Sequence, residues 1–250
     1  MYISEKETFT KNRKTLPANR IHTISVNEIE QWGQYCLVPL AIPCVDFTGI
    51  ADWFFDNHLE ITEASRKLLR HNRIDINLSN TVASKPWEKQ REQAFLNEFP
   101  KFVEQLYDVF PFKKISTFRF WQSFAPIEMH RENDDFRDFP NGFRSVVYDE
   151  NPEPTLYVEE MLPDTTETIE RKYICKLEDT NSWAWNNLRV KHGSDYDPNY
   201  KKLLMLIDRF ELDGAKYNKI MEASISKYQD YILKSKKQLS DYVLIPNSMT

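Results

Sequence analysis

Hydrophobic and polar positions follow two different periods along the chain, and the change occurs near residue 113. Before that point, apolar residues recur every three or four positions, which predicts helices over 26–32, 61–71, 87–98 and 101–109. Strict alternation predicts a strand at 73–78. The apolar run 36–47 is broken by prolines, which favours extended structure at the edge of a sheet.

From Lys114 onward, β-branched and aromatic runs predict short strands at 115–121, 143–148, 155–158, 173–177, 182–185 and 202–207. Such a succession is typical of a sandwich, barrel or jelly roll. A last helix is predicted over 217–234. We expect a single domain, 1–250, that is mainly β with flanking helices. Its parts are a mixed N-terminal segment (1–112), a β core (113–212) and a C-terminal helix with a tail (213–250).

The composition argues against several classes of protein. Five glycines leave neither a GxGxxG nor a GxxxxGK[ST] motif, so dinucleotide-binding and P-loop folds are not expected. The 33 basic and 38 acidic side chains give a net charge of −5, which argues against nucleic acid as a partner. The three cysteines form no CxxC pair, and no apolar run resembles a signal peptide or a membrane span. We therefore expect a cytoplasmic protein without a membrane partner.

Two histidines are candidate metal ligands. His130 ends a β-rich run, and Glu132 follows two residues later, so both side chains would point to the same face of an extended backbone. Asp134 has the same parity and is the alternative carboxylate. His192 precedes a predicted loop that leads to the apolar run 203–207. Two imidazoles and one carboxylate can occupy one face of a six-coordinate Fe(II), so this set predicts a mononuclear iron site.

Two cations are candidate anion ligands. Lys202 lies ten residues after His192 and opens the apolar run. An ammonium inside a barrel is costly without a counter-charge, so we expect Lys202 to bind a carboxylate of an anionic cosubstrate. Lys201 is the alternative, because adjacent strand residues point to opposite faces. Arg144 is a second inward candidate, expected to share a face with Val146 and Tyr148.

The order of these motifs resembles that of the Fe(II)/2-oxoglutarate-dependent oxygenases. It is most similar to the aspartyl/asparaginyl β-hydroxylase-like branch. The likeness begins near Phe99 and Pro100 and rests on 118–121, 124–130, Arg144, His192 and 202–208.

The resemblance implies a double-stranded β-helix (a jelly-roll, cupin-like fold) with flanking N-terminal helices. His130, Glu132 and His192 would hold Fe(II). Lys202 and Arg144 would help to bind 2-oxoglutarate, and O2 would be the second cosubstrate. The implied reaction is hydroxylation of an unactivated C–H bond in an amino acid or a peptide residue.

Three departures from the family keep alternatives open. Glu132 stands where Asp is commoner, and Pro126 replaces a glycine-turn pattern. Lys202 stands where Arg is usual. A lysine keeps the positive charge but cannot donate the two parallel hydrogen bonds that a guanidinium makes to a carboxylate. One alternative is a non-catalytic jelly-roll or cupin-like binding protein. Another is an iron enzyme that uses no 2-oxoglutarate, such as a cupin dioxygenase. The substrate, whether small molecule or peptide, and the oligomeric state stay open.

The metal site makes a first testable prediction. His130→Ala and His192→Ala should each abolish Fe(II) binding, because two remaining ligands are too few for a stable site. Glu132→Ala should weaken iron binding more than Asp134→Ala does. Metal content after anaerobic loading measures both effects. Full iron occupancy in either histidine variant would exclude the triad, and the reverse order of the carboxylate variants would make Asp134 the ligand.

Overall fold

The computed structural model describes residues 32, 34–56, 71–78, 86–130, 141–161, 168–186 and 190–235. Within these ranges the strands are β1 (Tyr35–Pro39), β2 (His71–Asn77), β3 (Phe112–Ser123), β4 (Ile127–His130), β5 (Asn141–Asp149), β6 (Leu156–Met161), β7 (Thr168–Ile174), β8 (Ser182–Asn186), β9 (Lys191–Ser194), β10 (Lys202–Leu212) and β11 (Leu233–Lys234). The helices are α1 (Ile50–Asp56), α2 (Pro86–Glu98), α3 (Phe102–Val109) and α4 (Gly214–Lys227), and a 3-10 turn follows at Gln229–Tyr231. None of the helices in these ranges is both long and apolar enough to cross a membrane.

The strands form two antiparallel sheets. The larger sheet has the order β11-β1-β8-β5-β10-β3-β2, and the smaller sheet has the order β4-β9-β6-β7. Between β3 and β10 the chain passes back and forth between the sheets, with β3, β5, β8 and β10 in one and β4, β6, β7 and β9 in the other. This winding is a double-stranded β-helix, so the predicted fold class is confirmed.

The larger sheet is buried on both faces, and β10 shows why. Leu203, Met205 and Ile207 belong to the apolar cluster that also contains residues of α1, α2, α3 and α4. Leu204 and Leu206 belong to a second cluster, which lies between the two sheets. Side chains alternate between the faces of a strand, so one apolar run serves both cores.

Strand β5 contains a bulge that the sequence pattern did not predict. Leu203 pairs with Tyr148 whereas Leu204 pairs with Val146, so Val147 is an extra residue in β5. The expectation that Tyr148 shares a face with Val146 is therefore wrong. The Tyr148 ring packs against Phe55 of α1, with centroids 5.7 Å apart, and Asp149 takes the inward position opposite Lys202.

Other elements differ from the predictions in their bounds. The helix predicted over 217–234 ends at Lys227, because Tyr228 leaves the helical conformation and Leu233 then pairs with Leu37 of β1. Strand β1 is therefore covered by β11 and is not the outermost strand. Strand β7 begins and ends earlier than predicted, and β9 was not predicted at all. The helices predicted over 26–32 and 61–71 lie outside the described residues, apart from Trp32 and His71 at their ends.

The helix-facing core makes a stability prediction. Phe118 is fully buried and packs against the rings of Phe95, Phe102 and Phe120 at centroid distances of 6.1, 5.8 and 6.0 Å. Phe118→Ala should lower the free energy of unfolding by about 3–5 kcal/mol, because it leaves a cavity. Urea denaturation with an unchanged m-value measures this loss.

The matched control for Phe118→Ala is Tyr231→Ala. The Tyr231 side chain is exposed on the 3-10 turn, so its removal should change stability by less than about 0.5 kcal/mol. Equal losses in the two variants would contradict the assignment of Phe118 to a packed core.

Candidate active site

The register of the smaller sheet aligns the two candidate histidine positions. Position 130 in β4 pairs directly with His192 in β9. On its other side, His192 pairs with Val158, which belongs to the core between the sheets. Directly opposed residues in antiparallel strands share a face, so His192 faces the interior of the jelly roll. The His192 side chain is 6% exposed.

The imidazole of His192 lies against Trp185 of β8. The two rings are stacked, with centroids 4.7 Å apart and an interplanar angle of 28°. The guanidinium carbon of Arg144 lies 4.4 Å from the centroid of the same indole ring. Arg144 is 1% exposed, and its Nη1 donates a hydrogen bond of 3.1 Å to the carbonyl of Phe143. The ring of Trp185 therefore contacts both a buried imidazole and a buried guanidinium.

Lys202 lies on the same inner face as Leu204 and Leu206. Its Nζ donates a hydrogen bond of 2.7 Å to Thr155 Oγ1 and lies 3.2 Å from Asp149 Oδ2. Burial lowers the pKa of Lys202, and the Asp149 carboxylate opposes that shift. Asp149 thus supplies Lys202 with a counter-charge from within the chain, which the sequence argument did not anticipate.

Lys201 points to the opposite face of the sheet. Its Nζ lies 5.2 Å from the ring of Phe55, on the helical side, and its backbone N–H donates to Glu150 Oε2. The sequence left open which of the two lysines points to the inner face, and in this structure it is Lys202. Which cation binds a cosubstrate stays a prediction.

A pocket that opens to solvent lies at the Lys202 end of the interior. Its polar lining includes Lys202, Thr155 and Ser194. Ser194 is two residues from His192 in β9, which corresponds to about 7 Å along the strand. The pocket is lined by Trp121, Ser123, Ile127, Asn151, Thr155, Ser194, Asp195, Tyr196, Asp197, Tyr200, Lys202 and Leu204.

Sequence reasoning missed Asp149 and Thr155, which both contact Lys202. Regular alternation from Arg144 would place Asp149 on the outer face of the strand. The extra residue Val147 turns Asp149 to the inner face instead. Thr155 lies immediately before β6, where a polar residue is unremarkable in sequence. Only the pairing of β10 with β5 could have indicated the contact with Asp149.

The predicted iron ligands fall partly outside the described residues. Of His130 only the backbone is described, and Glu132 and Asp134 belong to 131–140, so the choice of carboxylate stays a prediction. Among the side chains that are described, no three His, Cys, Asp or Glu groups could hold a metal ion.

The residues that are described fit a polar ligand beside His192. The indole N–H of Trp185 is buried and finds no hydrogen-bond acceptor in the described part of the chain. Buried indole N–H groups usually have a partner, so an acceptor bound next to Trp185 would satisfy it. A buried imidazole opposite a second histidine position suits a metal centre with such an acceptor close by.

No family model and no curated protein matches the chain. Among solved structures, a non-heme monooxygenase, ThoJ in complex with nickel, is 11% identical over 82% of this chain and 98% of that chain, with a TM-score of 0.40. A prolyl-4-hydroxylase from Pseudomonas putida is 9% identical over 73% and 98%, with a TM-score of 0.37. An oxidoreductase of the 2OG-Fe(II) oxygenase family from Burkholderia pseudomallei is 9% identical over 58% and 71%, with a TM-score of 0.32. The assignment of the fold rests on the strand order and register of this chain.

The buried ion pair makes a stability prediction. Lys202→Met should lower the free energy of unfolding by about 3 kcal/mol, because it leaves the Asp149 carboxylate without its cation in a mostly buried position. Lys201→Met is the control and should change stability by less than about 0.5 kcal/mol. The double variant Lys202→Met/Asp149→Asn should recover part of the loss. Chemical denaturation measures all three, and an equal loss in both single variants would contradict the inward placement of Lys202.

Proposed function

We propose that the chain is an Fe(II)- and 2-oxoglutarate-dependent oxygenase that hydroxylates an unactivated C–H bond. The observation that carries the proposal is the pairing of position 130 with His192 across β4 and β9. In a double-stranded β-helix this backbone pairing would allow two candidate imidazole ligands to share one site. The motif order in the sequence supports the same reading.

His130, His192 and Glu132 would hold the Fe(II), with Asp134 as the alternative to Glu132. Two imidazoles and one carboxylate leave the opposite face of the ion open for 2-oxoglutarate and O2. When bound, the ion supplies the activation of O2, coupled to oxidative decarboxylation of 2-oxoglutarate. Trp185 packs on the His192 ring and would hold its orientation while excluding water.

Lys202 would bind the distal carboxylate of 2-oxoglutarate. An ammonium has three N–H donors, and Thr155 and Asp149 engage two of them. The third donor remains for a ligand, and the Thr155 hydroxyl, which accepts from Lys202, can donate its own proton to the same carboxylate.

Arg144 would act nearer to the metal. Its guanidinium lies over the ring of Trp185, which also contacts His192. A buried guanidinium favours an anion close by, so Arg144 would help to bind a carboxylate of the cosubstrate or the substrate. The substrate would be an amino acid, a peptide residue or another small molecule, as the sequence resemblance suggests. The cysteine usage supports a reducing, cytoplasmic location.

The test of this function is turnover of 2-oxoglutarate to succinate with Fe(II) and ascorbate. A substrate screen by mass spectrometry should then find a product heavier by one oxygen atom. Lys202→Met should raise the KM for 2-oxoglutarate at least about 30-fold while iron still binds, because loss of a desolvated charge partner costs about 2–5 kcal/mol. Lys202→Arg should keep part of the activity, and Lys201→Met should behave like the wild-type chain.

A non-catalytic binding protein is the second candidate function. The ion pair between Lys202 and Asp149 favours it, because the interior cation is neutralised without any cosubstrate. Wild-type protein that binds no iron under anaerobic conditions and forms no succinate would support this candidate and exclude the oxygenase. Iron binding without consumption of 2-oxoglutarate would point to the iron enzyme that uses another cosubstrate.

A further inference from the structure

Lys202 and Asp149 face each other across the pairing of β10 with β5. The two side chains are only 14% and 17% exposed, and Lys202 Nζ lies 3.2 Å from Asp149 Oδ2. Charges that are mostly buried are screened by salt far less than charges on the surface. A carboxylate that enters the pocket to reach Lys202 therefore meets an ammonium that already has an anionic partner.

Asp149 is held in place by contacts other than Lys202. The backbone N–H and the side-chain amide of Asn151 donate to Asp149 Oδ1 at 3.1 and 2.6 Å. Oδ1 is thus engaged by Asn151 while Oδ2 turns toward Lys202. Asp149 cannot swing away from an incoming carboxylate without breaking these two hydrogen bonds.

The remaining charges near the pocket add to the effect of Asp149. Asp195 and Asp197 both line the pocket. Among the described residues that line the pocket, Asp195 and Asp197 carry negative charge and Lys202 carries positive charge, and Asp149 adds a third carboxylate beside Lys202. Like charges placed close together oppose binding, so these carboxylates weaken the attraction of the pocket for a dianionic ligand.

We propose that Asp149 is a built-in counter-ion of Lys202 that weakens the binding of dicarboxylates in this pocket. With no ligand present, Asp149 keeps the buried ammonium neutralised and in position. With a dicarboxylate present, it competes for the same cation and sets how tightly that ligand is held. The inference rests on the proposed function only for the class of ligand, a short dicarboxylate.

Asp149→Asn tests this role, because it removes the charge and keeps a carbonyl oxygen that can accept from Asn151. The matched control is Glu153→Gln, which removes one charge from an exposed position in the same connection between β5 and β6. Glutarate is the probe, since it has two carboxylates but no 2-oxo group to chelate a metal. Its affinity for the full metal-free chain can be measured by calorimetry and by tryptophan fluorescence, as Trp121 lines the pocket.

Asp149→Asn should bind glutarate about tenfold more tightly than the wild-type chain, whereas Glu153→Gln should bind it with unchanged affinity. The double variant Asp149→Asn/Lys202→Met should lose the gain, which would show that the effect acts through Lys202. Asp149→Ala carries the same expectation if the Asn variant does not fold. Unchanged or weaker binding in the folded Asp149 variant would overturn the proposal.

Failure of this inference and failure of the proposed function give different results. Tighter glutarate binding by Asp149→Asn, with no succinate formed by any variant, supports the counter-ion role and excludes the oxygenase. Succinate formation by the wild-type chain, together with equal glutarate affinity in the wild-type chain and Asp149→Asn, supports the oxygenase and overturns the counter-ion role.

Discussion

The hydrogen bonding of β10 to β3 on one side and to β5 on the other is the interaction on which the rest of the structure depends. Leu203 and Met205 meet the helical layer, and Leu204 and Leu206 fill the space between the sheets. A slip of one residue would exchange these two sets, so the register of a strand buried on both faces is strongly specified. The same register turns Lys202 inward and determines what it contacts.

The interior contains two buried cations that lie in different surroundings. Arg144 lies beside the indole of Trp185, which also stacks on His192, whereas Lys202 contacts Thr155 and Asp149. The role proposed for both cations is to bind acidic groups of a cosubstrate or substrate. Under the counter-ion proposal, Asp149 competes with an acidic ligand for Lys202. The two cations would therefore differ in how strongly they attract an acidic group.

Periodicity predicted most of the fold, and it failed where tertiary pairing overrides local pattern. The helical period continues through Ile232, but the chain leaves the helix at Tyr228 because Leu233 is buried against β1. Strand β9 has four residues and includes Gly193, so it shows no alternation of apolar and polar residues. Its existence is apparent only from its pairing with β4 and β6.

The candidate site was predictable wherever strand parity is regular. The inward direction of Lys202 and the outward direction of Lys201 follow from the alternation along β10. The direction of Asp149 does not follow from β5, because Val147 is an extra residue there. This extra residue also affects comparisons with related chains. A relative without the bulge would carry the equivalent carboxylate four residues after its arginine, whereas Asp149 lies five residues after Arg144, so alignment by fixed spacing would pair the wrong positions.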